Sequence, residues 1–166
     1  MRSYLPAILF ALLLIVTCFF IISTSGTLPE RVASHFDSAG APNDYMTRDG
    51  YRVFMLAFGI GFPLLMVMLI SWLPRLAPNL TNIPNRAYWL APERRETTFA
   101  VLSAYALWLG CLLTIFLGGV HWLVVRANAV SPPRLENGPF LALLGAFFVA
   151  LIVWIFLLVR QFRKTS

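Results

Sequence analysis

Charge is what this chain has least of. Only 12% of its 166 residues are Asp, Glu, Lys or Arg, whereas 59% are apolar, and the mean hydropathy is +0.76. Soluble domains carry about 25% charged residues, so this composition excludes an ordinary water-facing surface. Cysteine is almost missing: Cys18 and Cys111 are the two, both inside long apolar runs, which excludes a disulfide framework and a thiolate metal centre. No basic run is longer than Arg94-Arg95, so the positive balance does not read as a nucleic-acid surface, and no nucleic-acid partner is expected. A phosphate-binding glycine loop and a nucleophile elbow are also absent, which leaves phosphoryl transfer and serine-hydrolase chemistry without residues to carry them.

What the chain does have is long apolar runs. Charge is missing between Arg2 and Glu30, Arg52 and Arg75, Glu96 and Arg126, and Glu136 and Arg160. Each interval is long enough for the roughly 20 residues that cross a hydrocarbon core. The expected fold is an all-α integral membrane protein, a four-helix transmembrane bundle forming one domain over residues 1–166, with spans near 5–25, 51–73, 97–124 and 139–160. The first run, Leu5 to Ile22, exceeds the apolar core of about 7–15 residues in a cleaved signal peptide, so it is read as a retained anchor.

Four spans put both termini on one side. That side holds Arg2, Arg75, Arg86, Arg94, Arg95, Arg160, Arg163 and Lys164 with only Glu93 and Glu96, and so carries the whole net charge of +6. On the other side Arg31, Arg48, Arg52, Arg126 and Arg134 are balanced by Glu30, Asp37, Asp44, Asp49 and Glu136. The positive-inside rule then makes both termini cytoplasmic in a multi-pass protein of the plasma (inner) membrane. The first partner is the lipid bilayer, whose anionic headgroups attract the basic side. The sequon Asn79-Leu80-Thr81 falls in the cytoplasmic connection, residues 74–96, and is read as a chance match.

The outer loop, residues 26–50, is far longer than the 2–8 residues that usually join helices in a bundle, so it is expected to have structure or function of its own. Read as a strand, Arg31–Asp37 places Val32, Ser34 and Phe36 on one face and Ala33, His35 and Asp37 on the other. Gly40, Pro42, Asn43 and Asp44 favour a turn and a short β-hairpin, with Thr47 as N-cap of the second span. His35 and Asp37 are expected to fasten this loop over the bundle. With Asp44, and with His121 at the outer end of the third span, they also have the chemistry to ligate a divalent metal or to titrate as a sensor. No ligand spacing is diagnostic, and no other cofactor is expected. His121, beside Trp122, is expected at headgroup level or facing the bundle interior.

In the second span Pro63, with Gly59 and Gly61, predicts a bend, and the small residues Ala100/Ala104 and Ala146/Ala150 predict close helix contacts. On the cytoplasmic side Pro92 is expected at the first position of the third helix, with Glu93 and Glu96 in its first turns. Asn85, Arg86, Tyr88, Trp89, Arg94 and Arg95 are candidates for an interface with headgroups or a partner.

The stretch "LPERVASHFDSAGAPNDYMTRDGY" followed at once by an apolar run resembles a bacterial membrane domain of unknown function that is also found at the N-terminus of the sporulation-delaying-toxin immunity proteins. Leu28, Pro29, His35, Phe36, Gly40, Pro42, Asp44 and Arg48 carry the likeness, with Phe36 where tryptophan is common and Arg48 where lysine is common. The cytoplasmic "IPNRAYWLAPERRE", residues 83–96, extends it. Loop and resemblance together imply a non-enzymatic binding or regulatory protein, immunity- or sensor-like. Its partner would be an extracytoplasmic peptide or protein met through His35, Phe36, Asp37, Asp44, Arg48 and His121; a homo-oligomer is a separate expectation. The rival is a small transporter or metal-dependent membrane enzyme using His35, Asp37, Asp44 and His121.

Overall fold

The computed structural model describes residues 4–164; Arg2, counted above with the basic side, lies outside them. Four helical rods are long and apolar enough to cross a membrane: Leu5–Ser25, Arg48–Leu76, Arg95–Asn128 and Asn137–Arg163, of 21, 29, 34 and 27 residues. At about 1.5 Å per residue even the shortest matches a hydrocarbon core of about 30 Å. The first is α1. The second comprises α2 (Arg48–Leu56), a π-helical turn (Ala57–Gly61) and α3 (Phe62–Leu76). A single helical turn, α4 (Arg86–Trp89), precedes α5 (Arg95–Asn128), and α6 (Asn137–Arg163) closes the chain.

The hub is α5, against which α1, α3 and α6 all pack, and α6 packs chiefly there. Close approach is permitted by glycines of α5. A Cβ at Gly110 would sit 2.7 Å from the Phe10 ring of α1 and 2.6 Å from Val67 of α3, and one at Gly119 would sit 2.9 Å from Leu143 of α6. A Cβ at Gly59 would meet Ile21 at 3.2 Å, whereas one at Gly61 would meet nothing within 4 Å; of the alanines expected at close helix contacts, Ala146 is exposed. Pro63 is buried, and the turn just before it widens into the π-helical segment. The lost N–H and the bulk of the ring are thus accommodated without breaking the rod.

Between α1 and α2 the chain forms a two-stranded antiparallel sheet, β1 (Arg31–Phe36) with β2 (Pro42–Thr47). Arg31 faces Thr47, Val32 faces Met46, Ala33 faces Tyr45 and His35 faces Asp44, so Ser34 is an extra residue on β1. The extra residue breaks the expected two-face alternation after Ala33, and a second irregularity follows between His35 and Phe36; Val32 and Ala33, on opposite faces before the bulge, are both buried. Thr47 caps α2 by accepting a hydrogen bond from the Gly50 amide at 3.1 Å, leaving the chain no slack between sheet and helix.

At the other end the connection from 77 to 94 packs over the start of α5 and the end of α6. Phe99 and Leu102 of α5 and Phe162 of α6 form a buried cluster with Ile83, Trp89 and Leu90 against it. Here Pro92 does not start α5. It lies with Glu93 in a turn closed by the Arg94 and Arg95 amides on the Ala91 carbonyl, and the helix begins at Arg95, leaving Glu96 in its first turn. The Thr98 hydroxyl holds that turn by donating to the Trp89 carbonyl at 2.7 Å.

Candidate functional site

Two groups of polar side chains lie at the hairpin end. The first is the hairpin rim. The His35 ring lies 3.9 Å from the Asp44 carboxylate, both side chains well exposed, and 3.1 Å from the Ser34 hydroxyl. Asp37 is occupied locally: its Oδ1 accepts the amides of Ala39 and Ala41, each at 2.9 Å. Asp44 likewise accepts the Tyr45 amide. Asp37 therefore shapes the turn, and none of the hydrogen bonds of His35 or Asp37 reaches a helix.

The fastening of the loop falls to other residues. Asn128, near the end of α5, accepts the Ala33 amide at 2.8 Å through Oδ1 and donates to the Ala33 carbonyl at 2.9 Å through Nδ2. It thereby takes the place of a neighbouring strand for one residue of β1. The hairpin tip is tied to the start of α6 by the Leu135 amide on the Gly40 carbonyl at 3.0 Å and by Asn137 Nδ2 on the Ser38 carbonyl at 2.8 Å. Gly40 has φ +80°, and a Cβ there would collide with the Leu135 carbonyl. Only glycine meets both demands without strain.

Between the tied hairpin and the helices lies a cleft of about 390 Å³. Ser34, His35 and Asp37 line it from the hairpin, and Val120, Leu123 and Leu141 are among the apolar side chains of α5 and α6 beneath. Phe36 lines it as well, whereas Arg48 is the first residue of α2, immediately after the sheet.

The second group surrounds His121, which is fully buried. Its Nε2 is 2.7 Å from Thr24 Oγ1 and its Nδ1 is 2.9 Å from Tyr51 Oη. The direction of this chain follows from hydrogen counting. Thr24 has one hydroxyl hydrogen and gives it to the Phe20 carbonyl at 2.7 Å, so it can only accept from histidine. Nε2 then carries the hydrogen, and for a neutral ring Nδ1 is the bare acceptor to which Tyr51 donates. The neutral imidazole is saturated, and it joins α1, α2 and α5. Phe20 meets the ring edge-on at 5.2 Å and Tyr51 stacks at 5.7 Å. The cluster of Ile21, Leu28, Val32, Tyr51, Met55 and Val124 connects this site to the underside of the hairpin.

His35 and His121 thus have separate partners, and among the described residues no group of three or more His, Cys, Asp or Glu side chains is placed to hold a metal ion. Thr24, Tyr51, Asn128 and Asn137 escape a reading of the sequence because their partners are distant in the chain. The available signal was weak: hydroxyl or amide side chains near the ends of apolar runs.

Of the candidates at the termini end, Asn85, Arg86, Trp89 and Arg94 make contacts within the fold. Asn85 Nδ2 and Trp89 Nε1 both donate to the Phe162 carbonyl, at 3.3 and 2.8 Å, and Asn85 also reaches the Arg163 carbonyl. These carbonyls belong to the last turn of α6, whose acceptors have no partner within the helix. Arg86 binds the Asn79 carbonyl at 2.9 Å, and Arg94 lies over the Tyr88 ring at 4.1 Å. Arg95 opens α5 and is exposed.

A family model described as a domain of unknown function (DUF1648) matches residues 12–67, less than half of the chain. The match runs from α1 through the hairpin into α3 and includes Thr24, His35 and Tyr51; His121, Asn128 and the segment 83–96 lie outside it. No curated protein and no solved structure matches the chain. The likeness read from the loop is therefore shown as far as this domain of unknown function.

Proposed function

We propose that this is a multi-pass protein of the bacterial inner membrane, both termini cytoplasmic, which binds an extracytoplasmic peptide or protein in the cleft beneath its hairpin and acts by binding rather than by catalysis. The single observation that carries the reading is that cleft: about 390 Å³, with polar hairpin side chains on one wall and apolar helix side chains on the other. Binding clefts have this character, mostly apolar with a few placed polar groups. The hairpin is also tied rigidly to α5 and α6, so an occupant would act on the same helix that holds His121. An immunity- or sensor-like role fits such a device. A transporter or metal enzyme built on both histidines is less well supported, since both nitrogens of His121 are committed and His35 has other partners.

Orientation is tested by a reporter fused after Lys164, expected to be active only in the cytoplasm, and one inserted at Ser38, expected only outside. Binding is tested with a photoreactive residue in place of Phe36 in intact cells. A discrete peptide or protein adduct is expected there, absent from the same probe at Val153 on the exposed face of α6, and lost when Leu141→Trp fills the cleft. Adducts to lipid alone, or an adduct indifferent to Leu141→Trp, would overturn the proposal.

A further inference from the structure

At the termini end a second cleft, of about 290 Å³, opens between the last turns of α3 and the C-terminal part of α6, with α5 behind it and residues 80–83 closing its end. Leu69, Leu73, Leu102, Trp154 and Leu158 make the wall apolar. The Trp154 indole is already committed to the Tyr105 carbonyl at 3.0 Å. Thr81 is the exception. It is 8% exposed and lines the cleft, and its Oγ1 is, among the described residues, the one buried side-chain polar atom without a hydrogen-bond partner.

A buried hydroxyl with no partner is unfavourable, most of all where water is excluded. A trapped water would need about 2–4 polar partners, and among the side chains that line the wall Thr81 is the one that is polar, buried and uncommitted, since Asn82 at the rim is exposed. A molecule that is mostly apolar and carries an acceptor would supply the missing partner. Its position selects which one. The cleft lies where α3 ends at Leu76 and α6 approaches its end at Arg163, the depth at which the acyl chains of a lipid give way to ester carbonyls. Arg160, Arg163 and Lys164 lie at the same end but line a separate hollow with Ile155, Phe156 and Val159, so the cleft is matched to the acyl and ester part of a lipid and not to its phosphate.

We propose that this cleft binds one diacyl phospholipid of the adjoining leaflet, an acyl chain lying against Leu73, Leu102 and Leu158 and an ester carbonyl accepting the Thr81 hydroxyl. The volume, just under the roughly 300–1,000 Å³ of clefts that enclose whole ligands, suits the upper part of one chain. The proposal rests on the helices crossing a bilayer and is independent of the cleft at the hairpin.

The test uses the full chain in phospholipid vesicles containing a phospholipid with a diazirine near the ester end of one acyl chain, with cross-links mapped by peptide mass spectrometry. Leu102 is buried in the protein and is labelled only by a chain that enters the cleft; Val153, exposed on α6, reports ordinary surrounding lipid. Labelling at both is expected. Thr81→Val, which keeps the shape, should lower Leu102 labelling roughly 2- to 10-fold, the ratio corresponding to one neutral hydrogen bond. Leu158→Trp should abolish it, with Val153 unchanged in both variants. Label at Val153 without label at Leu102, or label at Leu102 indifferent to Thr81→Val, overturns the site. Loss of label at both positions in the unaltered chain overturns it together with the membrane reading itself.

Discussion

The hairpin rim and the helix interior each hold one of the two histidines, and they treat it in opposite ways. His35 stands in solvent with its side chain 64% exposed, near a carboxylate that is itself 71% exposed. Its interactions are within one hairpin, and solvent competes for all of them, so each is worth little. His121 is fully buried, and every hydrogen in its chain from Tyr51 to the Phe20 carbonyl has one destination. The difference separates two jobs. A residue that meets an arriving ligand must be reachable and only loosely satisfied, whereas a residue that locks three helices must be saturated.

The largest effect is expected from the interior. His121→Ala removes a packed ring and strands the Tyr51 hydroxyl, and about 2–5 kcal/mol of stability should be lost, measured by unfolding in detergent micelles. Most of this is packing, because an interhelical hydrogen bond within a membrane protein is worth only about 0.6 kcal/mol on average. An exposed-site cost, under about 0.5 kcal/mol, would mean that the ring is not the lock described.

Next comes the strap between the two regions. Asn128→Ala leaves the amide and carbonyl of Ala33 unpaired beneath the hairpin, and a loss of about 1–3 kcal/mol is expected. It should be accompanied by faster proteolysis within residues 37–41 while membrane insertion is retained. If hairpin proteolysis instead responds to His35→Ala and not to Asn128→Ala, the fastening has been assigned to the wrong residues.

How far the sequence could lead here depended on the range of each interaction. The four rods were legible because the length of an apolar run is set by the bilayer and needs no partner to be recognised. The hairpin was legible from Gly40, Pro42, Asn43 and Asp44, and the Thr47 cap from its place ahead of the second run, all local signals. The bulge at Ser34 was not, because it is a property of the pairing with β2 and of the hold that Asn128 of α5 has on Ala33, neither of which is marked in the local sequence. The partners of His121 lie 97 and 70 residues away, and nothing in "GGVHWLVV" singles out Thr24 or Tyr51. Gly110 and Gly119 likewise gain their meaning only when Phe10, Val67 and Leu143 are seen beside them. The start of α5 was placed three residues early because Pro92 suits a first helical position equally well as part of the turn that precedes it.

A smaller effect sharpens the direction of the buried chain. Tyr51→Phe removes only the hydroxyl that donates to Nδ1, and the loss should be about 0.6 kcal/mol and no more than about 1.7 kcal/mol, the mean and the maximum for interhelical bonds in membranes. A loss as large as that of His121→Ala would show that the hydroxyl, and not the ring, organises the site.

The smallest effect is expected at the rim, where His35→Ala should change stability by no more than about 0.5 kcal/mol while abolishing the adduct expected from the Phe36 probe. The separation of the two regions is tested most directly by a double-mutant cycle of His35→Ala and His121→Ala, followed by unfolding in micelles. Two sites without shared partners should give additive losses, to within about 0.3–0.5 kcal/mol. A coupling energy above about 1 kcal/mol would contradict the account, since it would mean that the two histidines belong to one site.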